Sequence, residues 1–203
     1  MPRDALYEES AQPLNAAKQA KWYLVFHILG ILFAVATGIQ TLVCITFLPS
    51  MVASLETGLS RAVLLLMWIG LDIGFAFVSF IFFRLRRRFN VSFDYLFVQD
   101  ELRITKVFNG KKRKPLVTLQ ADHVLQLGYC EGDAFERTYA GLKGAKPVVM
   151  TPNRTPAEDK DFIHILYSTS MGKTLYILEC RKEMLEHLIP VVGRNKFVRN
   201  DLS

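Results

Sequence analysis

Two long apolar runs dominate the first half of the chain. Residues 22–55 contain no Asp, Glu, Lys or Arg, and residues 62–83 contain only one, Asp72. About 20 apolar residues rising 1.5 Å each cover a hydrocarbon core about 30 Å thick. The pattern predicts transmembrane helices over 22–48 and 62–83, joined by a loop at 49–61 and preceded by a polar segment at 1–21. The first run begins too late and is too long for a cleaved signal peptide, whose apolar stretch is about 7 to 15 residues.

From residue 89 the pattern shortens and begins to alternate, as at a domain boundary. Val91, Phe93, Tyr95 and Phe97 share one face of a predicted strand at 89–98. Gln99-Asp100 turns the chain into a second strand at 102–108, and Asn109-Gly110 turns it again. That dipeptide accepts the positive φ that a tight hairpin turn demands, and it is the strongest local signal in the sequence. A third strand follows at 113–119. It should lie at an edge or begin after Pro115, which has no N–H for a ladder. Further strands are expected at 124–129, 162–167 and 175–180, with an irregular excursion at 130–161 that holds one short strand near 147–150. Met184, Leu185, Leu188, Ile189 and Val192 then mark one face of a closing helix from about Lys182, with Pro190 placed to shorten or kink it. Six or seven antiparallel strands and one terminal helix are the element order of a pleckstrin-homology-like barrel capped by that helix. The fold class read here is a membrane α-helical hairpin plus a mainly-β domain at 84–203.

Charge adds orientation. Arg3, Lys18 and Lys21 precede the first run, Arg84, Arg86, Arg87 and Arg88 follow the second, and the connection holds only Arg61. Lys and Arg favour the cytoplasmic side of spanning helices, so both termini and the β domain are expected there, in a multi-pass protein of the cell membrane. Residues 84–203 carry 21 Lys and Arg against 14 Asp and Glu, a net +7 that an anionic leaflet would attract. Mean hydropathy is +0.21, against a wholly soluble enzyme. Three cysteines exclude a disulfide-built scaffold, and Cys130 and Cys180 are expected to be free thiols in a reducing compartment.

Within the runs, Gly30, Ala34 and Gly38 recur at a spacing of four, as do Gly70 and Gly74. Such small-residue faces let helices in lipid approach closely, within the hairpin or between copies; glycine is also common in spanning helices in general. Asp72 near the middle of the second run would cost at least about 2.5 kcal/mol as an unpaired charge. A hairpin sets it level with Thr37, Gly38, Gln40 and Thr41, so Gln40 or a threonine is the expected polar partner. A proton or ion relay through Asp72, with His27 as a second station, is the rival reading, but one acid in two helices makes a thin path.

The β domain offers little catalytic chemistry. Cys130 with His123, and Cys180 with His187, lack a third group. Four scattered histidines and three cysteines show no metal-ligand spacing, and Gly172-Lys173-Thr174 falls between strands rather than before a helix. No cofactor or metal is implied. The dense feature is Lys111, Lys112, Arg113 and Lys114 beside the Asn109-Gly110 turn, which is expected to contact anionic lipid head groups; the bland reading is a solvated edge that blocks strand pairing. Aromatic residues interleaved with these cations, which nucleic acid would need for stacking, are missing.

Two spans, the arginine cluster, the hairpin ELRITKVFNGKKRK and the ending KFVRND resemble a family of uncharacterised two-span membrane proteins from Gram-positive bacteria with a C-terminal pleckstrin-homology-like domain. The resemblance implies a fold and a membrane and supplies no catalytic residue. The function expected is a non-enzymatic, membrane-anchored binding domain contacting a protein partner or anionic lipids, with a homo-oligomer as a further option. The alternative is a subunit of a membrane enzyme or transporter that uses Asp72.

Overall fold

The computed structural model describes residues 7–142, 144–170 and 172–198. The chain divides into two compact units, one of residues 17–90 and one built from the segment up to Ala16 together with Val91 onward.

The first unit is a pair of helices, α1 (Ala16–Ala53) and α2 (Gly58–Arg86). Both are long and apolar enough to cross a membrane. They contain the expected spans and extend past them, so the loop expected at 49–61 is reduced to residues 54–57. Pro49 lies inside α1. Nearby hydroxyls cover backbone carbonyls of the same helix, Thr46 donating to Leu42 and Ser50 to Phe47. The Thr57 hydroxyl then accepts from the Ser60 N–H and starts α2.

The second unit holds two sheets. One runs in the order β1 (Tyr7–Ala11), β2 (Val91–Val98), β3 (Glu101–Phe108) and β4 (Lys112–Gln120), every pair antiparallel. The strict alternation of β2 buries Val91, Phe93, Tyr95 and Phe97 on one face. Gln99 and Asp100 turn the chain at φ 46 and 67, and Asn109 and Gly110 at φ 52 and 66. Pro115 lies on edge strand β4. The register slips beside it, from Ile104 opposite Val117 to Thr105 opposite Pro115, leaving Leu116 as a bulge.

The other sheet comprises β5 (Val124–Tyr129), β6 (Val148–Val149), β7 (Asp161–Thr169), β8 (Gly172–Cys180) and β9 (Phe197–Val198), in the order β6-β8-β7-β5-β9. The two-residue strands β6 and β9 pair in parallel, on β8 and β5 respectively. The strands therefore form two open sheets, one of them mixed, rather than a closed antiparallel barrel. Between β5 and β6 the excursion read as irregular contains a helix, α3 (Asp133–Ala140). Helix α4 (Lys182–Val192) buries Met184, Leu185, Leu188 and Val192 in a core shared with Phe97, Leu102, Leu127 and Ile165, and Pro190 is held within its last turn.

The segment read as a polar leader to the first helix is part of this unit. Tyr7–Ala11 pairs with Phe93–Phe97, opposite Phe97 at Tyr7 and opposite Phe93 at Ala11. A buried ion pair fastens it: Lys160 Nζ lies 2.8 Å from Glu9 and donates to the Ser10 carbonyl at 2.7 Å, while the Arg181 N–H donates to Glu9 at 3.1 Å. Asn153 donates to the Gln12 carbonyl and accepts from the Leu14 N–H. Its amide also reaches the fully buried Glu179 carboxylate, which accepts from Thr151 and the Ala157 N–H as well.

Removing one partner of a buried pair strands the other charge, at a cost of about 3–5 kcal/mol. Glu9→Ala should therefore lower the unfolding free energy of the full chain by about that amount, whereas the double variant Glu9→Leu/Lys160→Met should recover most of it. Denaturant unfolding followed by tyrosine and tryptophan fluorescence checks both.

Candidate functional site

The basic hairpin follows from register. Residues directly opposite in an antiparallel ladder share a face. Phe93 stands opposite Lys106, and Lys106 opposite Lys114; Val91 stands opposite Phe108, and Phe108 opposite Lys112. Lys106, Lys112 and Lys114 therefore share the face that buries Val91 and Phe93. The Lys106 ammonium lies 5.4 Å from the ring centres of both Phe93 and Phe108, within range of their π faces. Arg113 belongs to the opposite face, opposite Val107 and Ser92, where its guanidinium lies 3.4 Å from Asp94. Burial pushes the Asp94 carboxyl up and Arg113 draws it back. Lys111 occupies the turn and is exposed. The four consecutive cations are thus divided among a turn and two faces. Lys106 joins the site although seven residues of strand and turn separate it from Lys114; its place in the β3 to β4 register was the signal that could have found it.

In the helical pair, the Thr41 hydroxyl lies 3.0 Å from both Asp72 carboxylate oxygens and 2.9 Å from the Thr37 carbonyl, with one proton to donate. Gln40 turns away, its amide 3.9 Å from Cys44 Sγ. Gly30 is buried, its carbonyl accepts from the Ser79 hydroxyl at 2.9 Å, and a Cβ placed on it would come 2.9 Å from the Phe83 ring. Ala34, Gly38, Gly70 and Gly74 are exposed, and a Cβ on Gly38, Gly70 or Gly74 would meet nothing within 4 Å. A spacing of four advances about 40° per step around a helix of 3.6 residues per turn, so the series drifts across the helix surface, and of these five residues Gly30 is the one that is buried. His27 Nδ1 faces the Arg86 guanidinium, which also lies over the Tyr23 and Phe83 rings at 5.9 and 4.9 Å.

The remaining chemistry-bearing residues sit apart from both sites. His123 lies edge-on to Tyr167, with ring centres 6.0 Å apart. Burial pushes the Cys130 thiol up to about 12, which keeps it from being a thiolate nucleophile at neutral pH. Cys180 is buried, and burial raises its thiol further. His164, unremarked in the sequence, is nearly fully buried; its Nδ1 donates to the Tyr129 carbonyl at 2.9 Å and its Nε2 accepts from the Gln126 amide at 3.1 Å. That amide also donates to Thr138 at 2.8 Å, and Phe135 lies against the imidazole at 5.3 Å, so the pair holds α3 on the sheet. Among the described residues no group of three or more His, Cys, Asp or Glu is placed to hold a metal ion.

Two consequences are measurable. Gly30→Leu should overpack the seam against Phe83 and cost about 1–3 kcal/mol, whereas Gly38→Leu, Gly70→Leu and Gly74→Leu should each stay within about 0.5 kcal/mol; thermal unfolding of the purified chain in detergent separates the two classes. Burial holds the His164 imidazole below its usual value of 6.5. Its contribution to stability is present in full above that value and is lost as pH falls from there towards the folded value, because the unfolded chain takes up the proton first. His164→Leu should flatten that part of the profile of unfolding free energy against pH, although it also lowers stability at neutral pH.

The chain matches no curated protein and no solved structure. A family model described as "Bacterial PH-like domain (DUF6106)" matches residues 20–198. The match takes in α2, α1 from residue 20 onward, and the strands and helices of the β unit except its first strand. With two apolar helices followed by two sheets and a closing helix, the chain belongs to this family of bacterial PH-like domain proteins.

Proposed function

We propose that the protein is a non-enzymatic, membrane-anchored binding module whose PH-like domain rests on the cytoplasmic leaflet and contacts anionic lipid head groups through the β3 to β4 hairpin. One observation carries this reading. The chain leaves β1 at Ala11 and enters β2 at Val91, and the register sets Ala11 opposite Phe93 and Val91 opposite Phe108. The basic turn is therefore at the end of the sheet where the chain departs for α1 and returns from α2. Residues 87–90 alone separate α2 from β2, and each spans at most about 3.5 Å. A pair of helices inserted between two hydrogen-bonded strands also supports the placement of both flanks on one side of the membrane, the cytoplasmic side by the Lys and Arg distribution.

Each Lys or Arg near an anionic leaflet contributes about 1 kcal/mol, decaying over a Debye length of about 8 Å at physiological salt. Lys106, Lys112 and Lys114 together would supply about 3 kcal/mol, a shift in occupancy on the order of a hundredfold.

The rival reading, a transporter or enzyme subunit using Asp72, finds less support. Between the levels of Asp72 and His27 the seam is filled by Phe33, Phe75 and Phe82, with ring centres 5.6 to 6.1 Å apart. Such rings offer a proton no station.

Full-length protein in nanodiscs of phosphatidylcholine, with and without phosphatidylglycerol, tests the reading. Hydrogen exchange over residues 106–114 should slow in the anionic discs, and added salt should reverse the effect. Replacing Lys111, Lys112, Arg113 and Lys114 together with serine, which leaves Lys106 in place, should remove most of it. Identical exchange of the natural chain in both kinds of disc would leave the hairpin a solvated edge.

A further inference from the structure

We infer that α3 is a lid over the β5 to β7 part of the second sheet, closed while His164 is neutral and lifted by acid.

Gly128 on β5 and Ile177 on β8 stand directly opposite His164 in the ladders. Gly128 makes room for the ring, since a Cβ there would come 2.9 Å from the imidazole and 3.0 Å from the Val198 carbonyl of β9. α3 lies against the same ring through Phe135. Of these walls α3 is the weakest. β7 is paired over its whole length with β8 and over residues 163–167 with β5. α3 has eight residues, none of them buried, and no side chain caps its start. Glycines with positive φ flank it, Gly132 at 83 and Gly144 at 90, and glycine turns through such conformations without a steric penalty. Local opening costs least where few groups are buried.

The donors and acceptors around His164 are matched for a neutral ring. Nδ1 donates to the Tyr129 carbonyl, so Nε2 accepts, and the Gln126 amide gives one hydrogen to it and the other to the Thr138 hydroxyl. The Thr138 proton is committed to the Ala134 carbonyl. A proton added at Nε2 would therefore point at a donor. β5 presents to the ring the Gln126 amide and the Tyr129 carbonyl, β8 presents Ile177, and α3 presents Phe135. The Tyr129 ring itself lies against Phe197. The charged groups of α3, Asp133, Glu136 and Arg137, are exposed, and the Arg137 guanidinium donates to the Asp133 carbonyl. A buried imidazolium with no acid bonded to it is costly, and water reaches it most cheaply where α3 lifts.

The lifted lid lets the ring hold a proton that the closed lid refuses, so proton uptake and opening are linked, and acid favours the open form. Hydrogen exchange of the full-length protein in nanodiscs, read by mass spectrometry at neutral pH and at about pH 5, tests this once the rates are corrected for the intrinsic effect of pH. Residues 133–140 should lose protection severalfold in acid, while residues 161–180 keep theirs. His164→Leu should remove the response to acid. Phe135→Ala, which leaves the imidazole and its hydrogen-bond partners in place, should leave residues 133–140 unprotected at both pH values. The double variant Asp133→Asn/Glu136→Gln, which neutralises the exposed acids of the helix, should respond as the natural chain does. Equal protection of residues 133–140 at the two pH values would overturn the lid, as would loss of protection in β7 and β8 alongside α3, which is unfolding of the sheet. A response that survives in His164→Leu or disappears with the two acids, or a helix that stays protected in Phe135→Ala, would overturn it as well.

Discussion

The pairing of Tyr7–Ala11 with Phe93–Phe97 is the constraint from which the rest follows. It joins two stretches of chain separated by the whole helical pair, and it completes the first sheet over the core residues Phe93, Tyr95 and Phe97. Because the strand is short, ladder hydrogen bonds alone would hold it weakly. The buried contact of Glu9 with Lys160 and the Arg181 N–H supplies the remainder, and Asn153 extends it by gripping the backbone on the far side at Gln12 and Leu14. The long loop between β6 and β7 is ordered by the same groups, since Glu179 binds Thr151, Asn153 and the Ala157 N–H at once.

Hydrophobic period and turn chemistry were enough to read both long helices, the three-strand meander from Val91 to Gln120, the β7 to β8 hairpin and the closing helix. These are elements whose signal is local: alternation in VSFDYLFV, the Asn109-Gly110 turn, the spacing of Met184, Leu188 and Val192. What escaped has its cause elsewhere in the chain. YEESA has no alternation of its own and becomes a strand only because β2 offers an open edge. DAFERTYA follows a glycine that gives it no side-chain cap, and it is a helix because Gln126 and His164 receive it. The strands β6 and β9 are two residues long and exist only as additions to β8 and β5.

The basic hairpin was legible as a place and not as a geometry. Four adjacent cations beside a turn are visible in one line of sequence, but their division between faces depends on the ladder. The register assigns Arg113 to Asp94 and substitutes Lys106, which no local pattern groups with Lys114. The helical pair shows the same limit. A depth argument brings Asp72 level with Thr41, yet the choice between Thr41 and Gln40, and the single glycine that packs among five small residues, depend on rotation about the helix axes. A series at strict spacing of four cannot reveal that rotation.

The insertion of α1 and α2 between two neighbouring strands sets an order on biosynthesis. Residues 7–11 leave the ribosome first, and their partner strand follows only after both long apolar segments have been made. At the synthesis rates of about 5–20 residues per second, the first strand waits several seconds for its neighbour. Helix formation is local and fast by comparison, whereas closure of the sheet is long-range. The two long helices can therefore form before the PH-like domain does, and the domain's first sheet closes only after both have been made.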